Sequence, residues 1–275
     1  MDLGEKVSIG EIVDEKHDEE TCVFCQAGDP PKEIINELTD AHDEDAEAKT
    51  GDIMPDYKFK NDAGKLGTAL GGKPAAKPVR LANKMFDAAV AAHHLIPGNA
   101  SLKESELFLS DEYLWKDGKA KGNIGYNVNA KTNGVWSPGN YGVRPWGAKG
   151  ATFEAENRGL AAKDFAFAAM EKWGAQFHDA HGAYSRFVKD CLDKVFEKLE
   201  AQEELWCPEA KQKEQNPEEK DPLYALVRRL DTISARMKRM LEFPTTNWKR
   251  NIYTSRFVEQ YMDENPHINK KIDEL

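Results

Sequence analysis

The chain has 275 residues, 31% of them charged, with a mean hydropathy of -0.70 and a formal net charge of -10. Such a length supports one large domain or two small ones around a buried core. No apolar run approaches the roughly 20 residues that a membrane-spanning helix needs. The opening Met1-Asp2-Leu3-Gly4-Glu5 has neither a basic region nor an apolar core, so no secretory signal is expected.

The negative charge is unevenly placed. Residues 1–56 carry 18 acidic and 4 basic side chains, whereas residues 57–275 carry 30 acidic and 34 basic. The first stretch reads as a solvated acidic arm that cleavage chemistry would not need, or one that covers a basic surface or docks to a carrier or partner. A short helix is expected at residues 31–41. Residues 57–79, rich in Gly, Lys, Ala and Pro, read as a linker. Residues 81–90 are expected to begin as a short helix, ahead of a turn at Pro97-Gly98, and 101–118 to be helix then turn. The Asn- and Gly-dense run 123–134 reads as a loop. A short strand at Val135-Trp136 comes next, stopped by Pro138. Helices are expected over 161–177, 181–201, 222–242 and 252–262, from apolar side chains at helical spacing. The fold class is therefore α+β and mostly helical. The units are an arm (1–56), a linker (57–79), a central domain (80–201) and a C-terminal helical extension (202–275).

Four cysteines in 275 residues make no disulfide scaffold. Cys22 and Cys25 have the spacing of half a zinc site. With Cys207, and His17 or another ligand, they form a candidate structural metal site. Free thiols or a disulfide are the competing readings. Cys191 lies in a helical pattern and reads as core.

Four of the seven histidines fall in two clusters, His93-His94 and His178-Asp179-Ala180-His181. Adjacent histidines on an extended segment point in opposite directions, so one can ligate a metal while the other faces a substrate. Two histidines three residues apart at a helix start can face one point. A phosphodiester hydrolase needs such a set. A cation neutralises the phosphate, a neutral imidazole takes a proton from water, and an amide side chain orients that imidazole.

Three blocks carry a resemblance. They are Ala92-His93-His94-Leu95-Ile96-Pro97-Gly98-Asn99, Asn133-Gly134-Val135-Trp136-Ser137-Pro138-Gly139-Asn140-Tyr141, and His178-Asp179-Ala180-His181-Gly182-Ala183-Tyr184-Ser185-Arg186-Phe187-Val188. In this order they resemble the AHH family of the HNH and endonuclease VII superfamily, whose members have a ββα-metal (His-Me finger) nuclease core. The family occurs chiefly in toxin domains of bacterial polymorphic toxins and type VI secretion effectors. The resemblance spans roughly residues 80–200 and leaves both ends of the chain uncovered.

The resemblance implies His93, His178 and His181 as metal ligands and His94 as general base. Asn133 would orient the base or its loop, with Asn127 and Asn129 competing for that role. The roughly 40 residues between Pro138 and His178 exceed what a minimal ββα unit needs. Arg144, Lys149, Arg158 and Arg186 would contact DNA phosphates. Mg²⁺ is the first expectation for the working ion, with Zn²⁺ or Ni²⁺ also suiting three imidazoles.

The implied activity is DNA hydrolysis with little sequence preference, by an antibacterial toxin or effector. An RNase toxin with the same centre and a non-catalytic zinc-stabilised module are the alternatives. A cognate immunity protein and a secretion-system carrier would be partners. The chain would be made in the bacterial cytoplasm and delivered into target cells by specialised secretion.

Overall fold

The computed structural model describes residues 6–14, 60–110, 114, 126–139, 160–179, 181–200 and 225–265. In chain order these form α1 (Ile9–Val13), α2 (Ala63–Ala69), β1 (Lys77–Leu81), β2 (Lys84–Ala88), β3 (Val90–His94), α3 (Glu106–Leu109), β4 (Gly134–Pro138), α4 (Ala162–Trp173), α5 (Gly182–Glu200), α6 (Ala225–Leu241) and α7 (Arg256–Glu264). The described residues are mostly helical with two small antiparallel ribbons, β1–β2 and β3–β4, as the α+β expectation requires. No described helix is long and apolar enough to cross a membrane.

Two apolar clusters organise these elements. One joins α1, α5 and α6 to Leu95, Ile96, Leu102, Leu107, Leu114, Tyr126 and Val128. The other joins the β1–β2 hairpin, α4, Trp248 and α7. The connection from α4 to α5 runs from one to the other. Phe177 is buried in the second and Tyr184 in the first, with His178 and His181 between them in sequence.

The structure corrects several expectations. Residues 81–90 are not helical. Val79 and Leu81 are buried while Pro78 and Arg80 are exposed, a period of two that favours a strand. The chain turns through Ala82 (φ 50°) and Asn83 into β2. The supposed linker holds α2 and most of β1. Asp62 caps α2, its side chain accepting from the Lys65 N–H at 2.9 Å. Where a helix and then a turn are expected over 101–118, the described residues form a wide helical turn at Gly98–Leu102 and the single turn of α3, and 111–113 and 115–118 lie outside the described residues. The expected helix at 31–41 lies outside the described residues.

The acidic arm is not wholly solvated. Its α1 is built into the first cluster, with Ile12 and Val13 fully buried. Ser8 and Glu11 form a reciprocal cap at its start. The carbonyls at its other end are taken by two guanidinium groups from α6. Arg236 donates to Ile12 O at 2.6 Å and to Asp14 O at 2.9 Å, and Arg229 donates to Val13 O at 2.7 Å. Lys198 of α5, 5% exposed, pairs with Asp14 at 3.0 Å. Asn251 bonds both backbone groups of Val7. The C-terminal helices are likewise part of the same packing, with α6 against α1 and α7 against α4.

Candidate metal centre and active site

The site is built on the β3–β4 ribbon. Its register pairs His93 with Val135, His94 with Gly134 and Ala92 with Trp136. Alternation sends His93 to one face and His94 to the other. Gly134 is small for a reason: a Cβ there would lie 2.7 Å from the Leu66 side chain and 3.1 Å from that of Leu70. Glycine lets α2 settle onto the ribbon beside His94.

On the His93 face, α5 and the segment before it close the site. The backbone N–H of His178 donates to Pro138 O at 2.7 Å, which fixes the segment to the end of β4. The Tyr184 hydroxyl donates to Leu95 O at 2.7 Å, which fixes α5 to the end of β3. The ring centres lie 4.8 Å apart for His93 and His178, 5.2 Å for His93 and His181, and 5.0 Å for His178 and His181. One ligand nitrogen from each falls within 4.8 Å of the others.

These imidazoles are held neutral. Burial places His93 well below the usual histidine range, and repulsion from His178, His181 and His94 adds to it. Burial, with repulsion from His181, pushes His178 down to about 4. Burial also lowers His181, whose Nδ1 lies 3.2 Å from the Ser185 hydroxyl. His93 Nε2 is sealed from solvent and makes no hydrogen bond. An unpaired nitrogen in that position costs free energy that metal ligation would recover. Three neutral imidazoles around one point therefore fit a divalent cation.

His94 is 7% exposed, and its Nε2 lies 2.9 Å from Asn129 Oδ1. Burial lowers its pKa, while the Asn129 bond and Asp62 pull the other way. The four histidines line one cleft of about 670 Å³. Gly64 and Thr68 of α2 line its far wall, together with Lys73 beyond the helix, and Trp136 forms part of its lining.

The Asn133 amide bonds Ile96, Val128 and Ser234, whereas that of Asn129 meets the His94 ring. Asn133 Oδ1 accepts from Ile96 N at 2.7 Å and Ser234 Oγ at 2.9 Å. Its Nδ2 donates to Ile96 O and Val128 O, both at 2.9 Å. The saturated amide ties the end of β3 to the start of β4, so Asn133 holds the loop and Asn129 contacts His94. Asn127 supports Asn129 in turn, its Oδ1 accepting the Asn129 N–H at 2.9 Å.

Residues 82–230, more than half of the chain, match the model of a nuclease family of the HNH/ENDO VII superfamily with conserved AHH. The chain belongs to this AHH family. The AHH signature is Ala92-His93-His94 on β3. No curated protein and no solved structure matches the chain.

Sequence reasoning missed the supports that reach this AHH site from outside the motif blocks. Thr254 is one. It donates from Oγ1 to Phe177 O at 2.9 Å, and its carbonyl accepts the Asp179 N–H at 3.0 Å, clasping both sides of His178. Gln176 is another, bonded to Thr254 N at 3.0 Å and to Met240 O at 3.1 Å. Isolated Thr and Gln residues in polar stretches leave no periodic signal. Of the expected phosphate contacts, Arg186 is exposed on α5. Arg144, Lys149 and Arg158 lie outside the described residues, as do Cys22, Cys25, Cys207 and His17.

Proposed function

We propose that this chain is a metal-dependent endonuclease that hydrolyses DNA with little sequence preference, using a ββα-metal core made of β3, β4 and α5. The observation that carries the reading is the meeting of His93, His178 and His181 at one point, with His94 in the same cleft. The three histidines would hold the ion, which when bound would neutralise the scissile phosphate and stabilise the leaving oxygen. A donor set of three imidazoles favours Zn²⁺ or Ni²⁺ over Mg²⁺, which prefers oxygen ligands. His94, kept neutral by burial, accepts the proton of the attacking water. The water oxygen bonds to phosphorus, the ester P–O bond breaks, and solvent protonates the departing alkoxide.

Arg186, with Arg144, Lys149 and Arg158, supplies phosphate contacts that carry no sequence information. The antibacterial role, specialised delivery and a tight-binding immunity protein extend the reading. They are supported by AHH membership and by the need of any producer to restrain a non-specific nuclease. The catalytic unit we assign runs beyond residues 80–201 to include α1, α2, α6 and α7, because α1 packs on α5, α2 on β3, α6 on β4, and α7 on Phe177 beside His178.

The test is incubation of the purified chain with supercoiled plasmid and, in parallel, a structured RNA transcript, with and without EDTA. Plasmid nicking that EDTA stops supports the reading. Cleavage of RNA alone replaces DNA as substrate, and cleavage of neither by metal-loaded protein overturns it.

A further inference from the structure

Asn129 is 5% exposed, and its amide is held in one orientation by two backbone groups. The Asp62 N–H donates to its oxygen at 2.9 Å, which a nitrogen could not accept. Its Nδ2 donates to Lys60 O at 3.1 Å, which an oxygen could not do. The atom facing His94 is therefore the acceptor oxygen, 2.9 Å from Nε2. A neutral imidazole carries one ring proton, and a favourable contact here requires that proton on Nε2.

Resting on the nuclease reading of this cleft, we propose that Asn129 is a positioning residue that locks His94 as the Nε2–H tautomer, leaving Nδ1 to take the proton from water. The lock is anchored by Lys60–Asp62, a stretch that precedes the residues matching the AHH family. That stretch is itself fixed. Asp62 caps α2, and Asn61 Oδ1 accepts the Gly98 N–H at 2.6 Å. On the helix, Leu66 is fully buried and Gly67 lies against Trp136, close enough that a Cβ would meet the ring at 3.2 Å. The path runs from α2 through residues 60–62 to Asn129 and on to His94. The wrong tautomer would present an N–H to the attacking water, which cannot accept its proton.

The test uses the full chain labelled with ¹⁵N-histidine and freed of metal, read by long-range proton–nitrogen correlation NMR. The parental His94 should show the Nε2–H pattern. In Asn129→Ala that pattern should be lost. On plasmid, kcat should fall about 10–100-fold, the loss typical of outer partners, with KM within about twofold and metal stoichiometry unchanged. Asn129→Asp keeps an acceptor oxygen for Nε2–H and should keep the tautomer. A parental His94 protonated on Nδ1 overturns the proposal, as does an Asn129→Ala chain with parental tautomer and kcat. If Asn129→Ala does not fold, the parental spectrum and Asn129→Asp decide the matter. A chain that cuts nothing refutes the nuclease reading, while the spectra still judge the lock.

Discussion

Ile12→Ala tests whether the N-terminal helix is part of the folded unit. Ile12 is fully buried in the cluster shared by α1, α5 and α6. The substitution removes three carbons, about 2.4 kcal/mol of transfer free energy at roughly 0.8 kcal/mol each. The cavity left behind raises the expected loss to about 2–5 kcal/mol. For a folded unit of this size, roughly 3 kcal/mol corresponds to a fall in Tm of about 6–12 °C. The assay is thermal unfolding followed by circular dichroism, with plasmid nicking measured across the same temperatures. The helix reaches the site through α6, whose Ser234 bonds Asn133, so nicking should fail in step with unfolding. A Tm within about 1 °C of the parent, by this arithmetic, would refute the docking of α1 and restore the expectation of a dispensable arm.

Asn133→Ala should destabilise by several kcal/mol, because it strands the backbone groups of Ile96 and Val128; urea unfolding measures it. Ser234→Ala, which removes one of the four bonds to that amide, should cost about 1 kcal/mol in the same assay. The metal-free protein should lose stability on acidification. His178 titrates near 4 in the fold against an ordinary value of 6.5, so the unfolded chain binds more protons between those values. Its contribution is complete above pH 6.5 and lost towards pH 4, on the order of 3 kcal/mol. A flat stability profile from about pH 7 to pH 4 would contradict the burial of these rings.

The helices α4 to α7 are legible in the sequence because each repeats apolar residues at helical spacing. Val135-Trp136 is legible as a strand because Gly and Pro punctuate it. The four histidines stand out by their clustering. The β1–β2 hairpin does not, since Ala82-Asn83 is a weak turn signal and Met85, Phe86 and Ala88 also suit a helix. The docking of α1 is hidden by composition: five residues bury Ile12 and Val13 inside a stretch otherwise dominated by acids. The division of labour between Asn129 and Asn133 cannot be read from spacing. It depends on which amide meets the His94 ring and which meets the backbone of Ile96, and only the tertiary arrangement decides that.

The central claim is that one ion held by His93, His178 and His181 serves phosphodiester cleavage with His94 as base. The direct measurement is a titration of metal-stripped protein with Zn²⁺, Ni²⁺ and Mg²⁺, reading bound metal and plasmid nicking in the same samples. We predict that binding and nicking rise together to a single equivalent. His93→Ala and His181→Ala should lose both, while His94→Ala keeps the metal but loses about 10²–10⁴-fold in rate. Parental nicking by metal-stripped protein in EDTA, or unchanged nicking in His93→Ala and His94→Ala, would contradict the account.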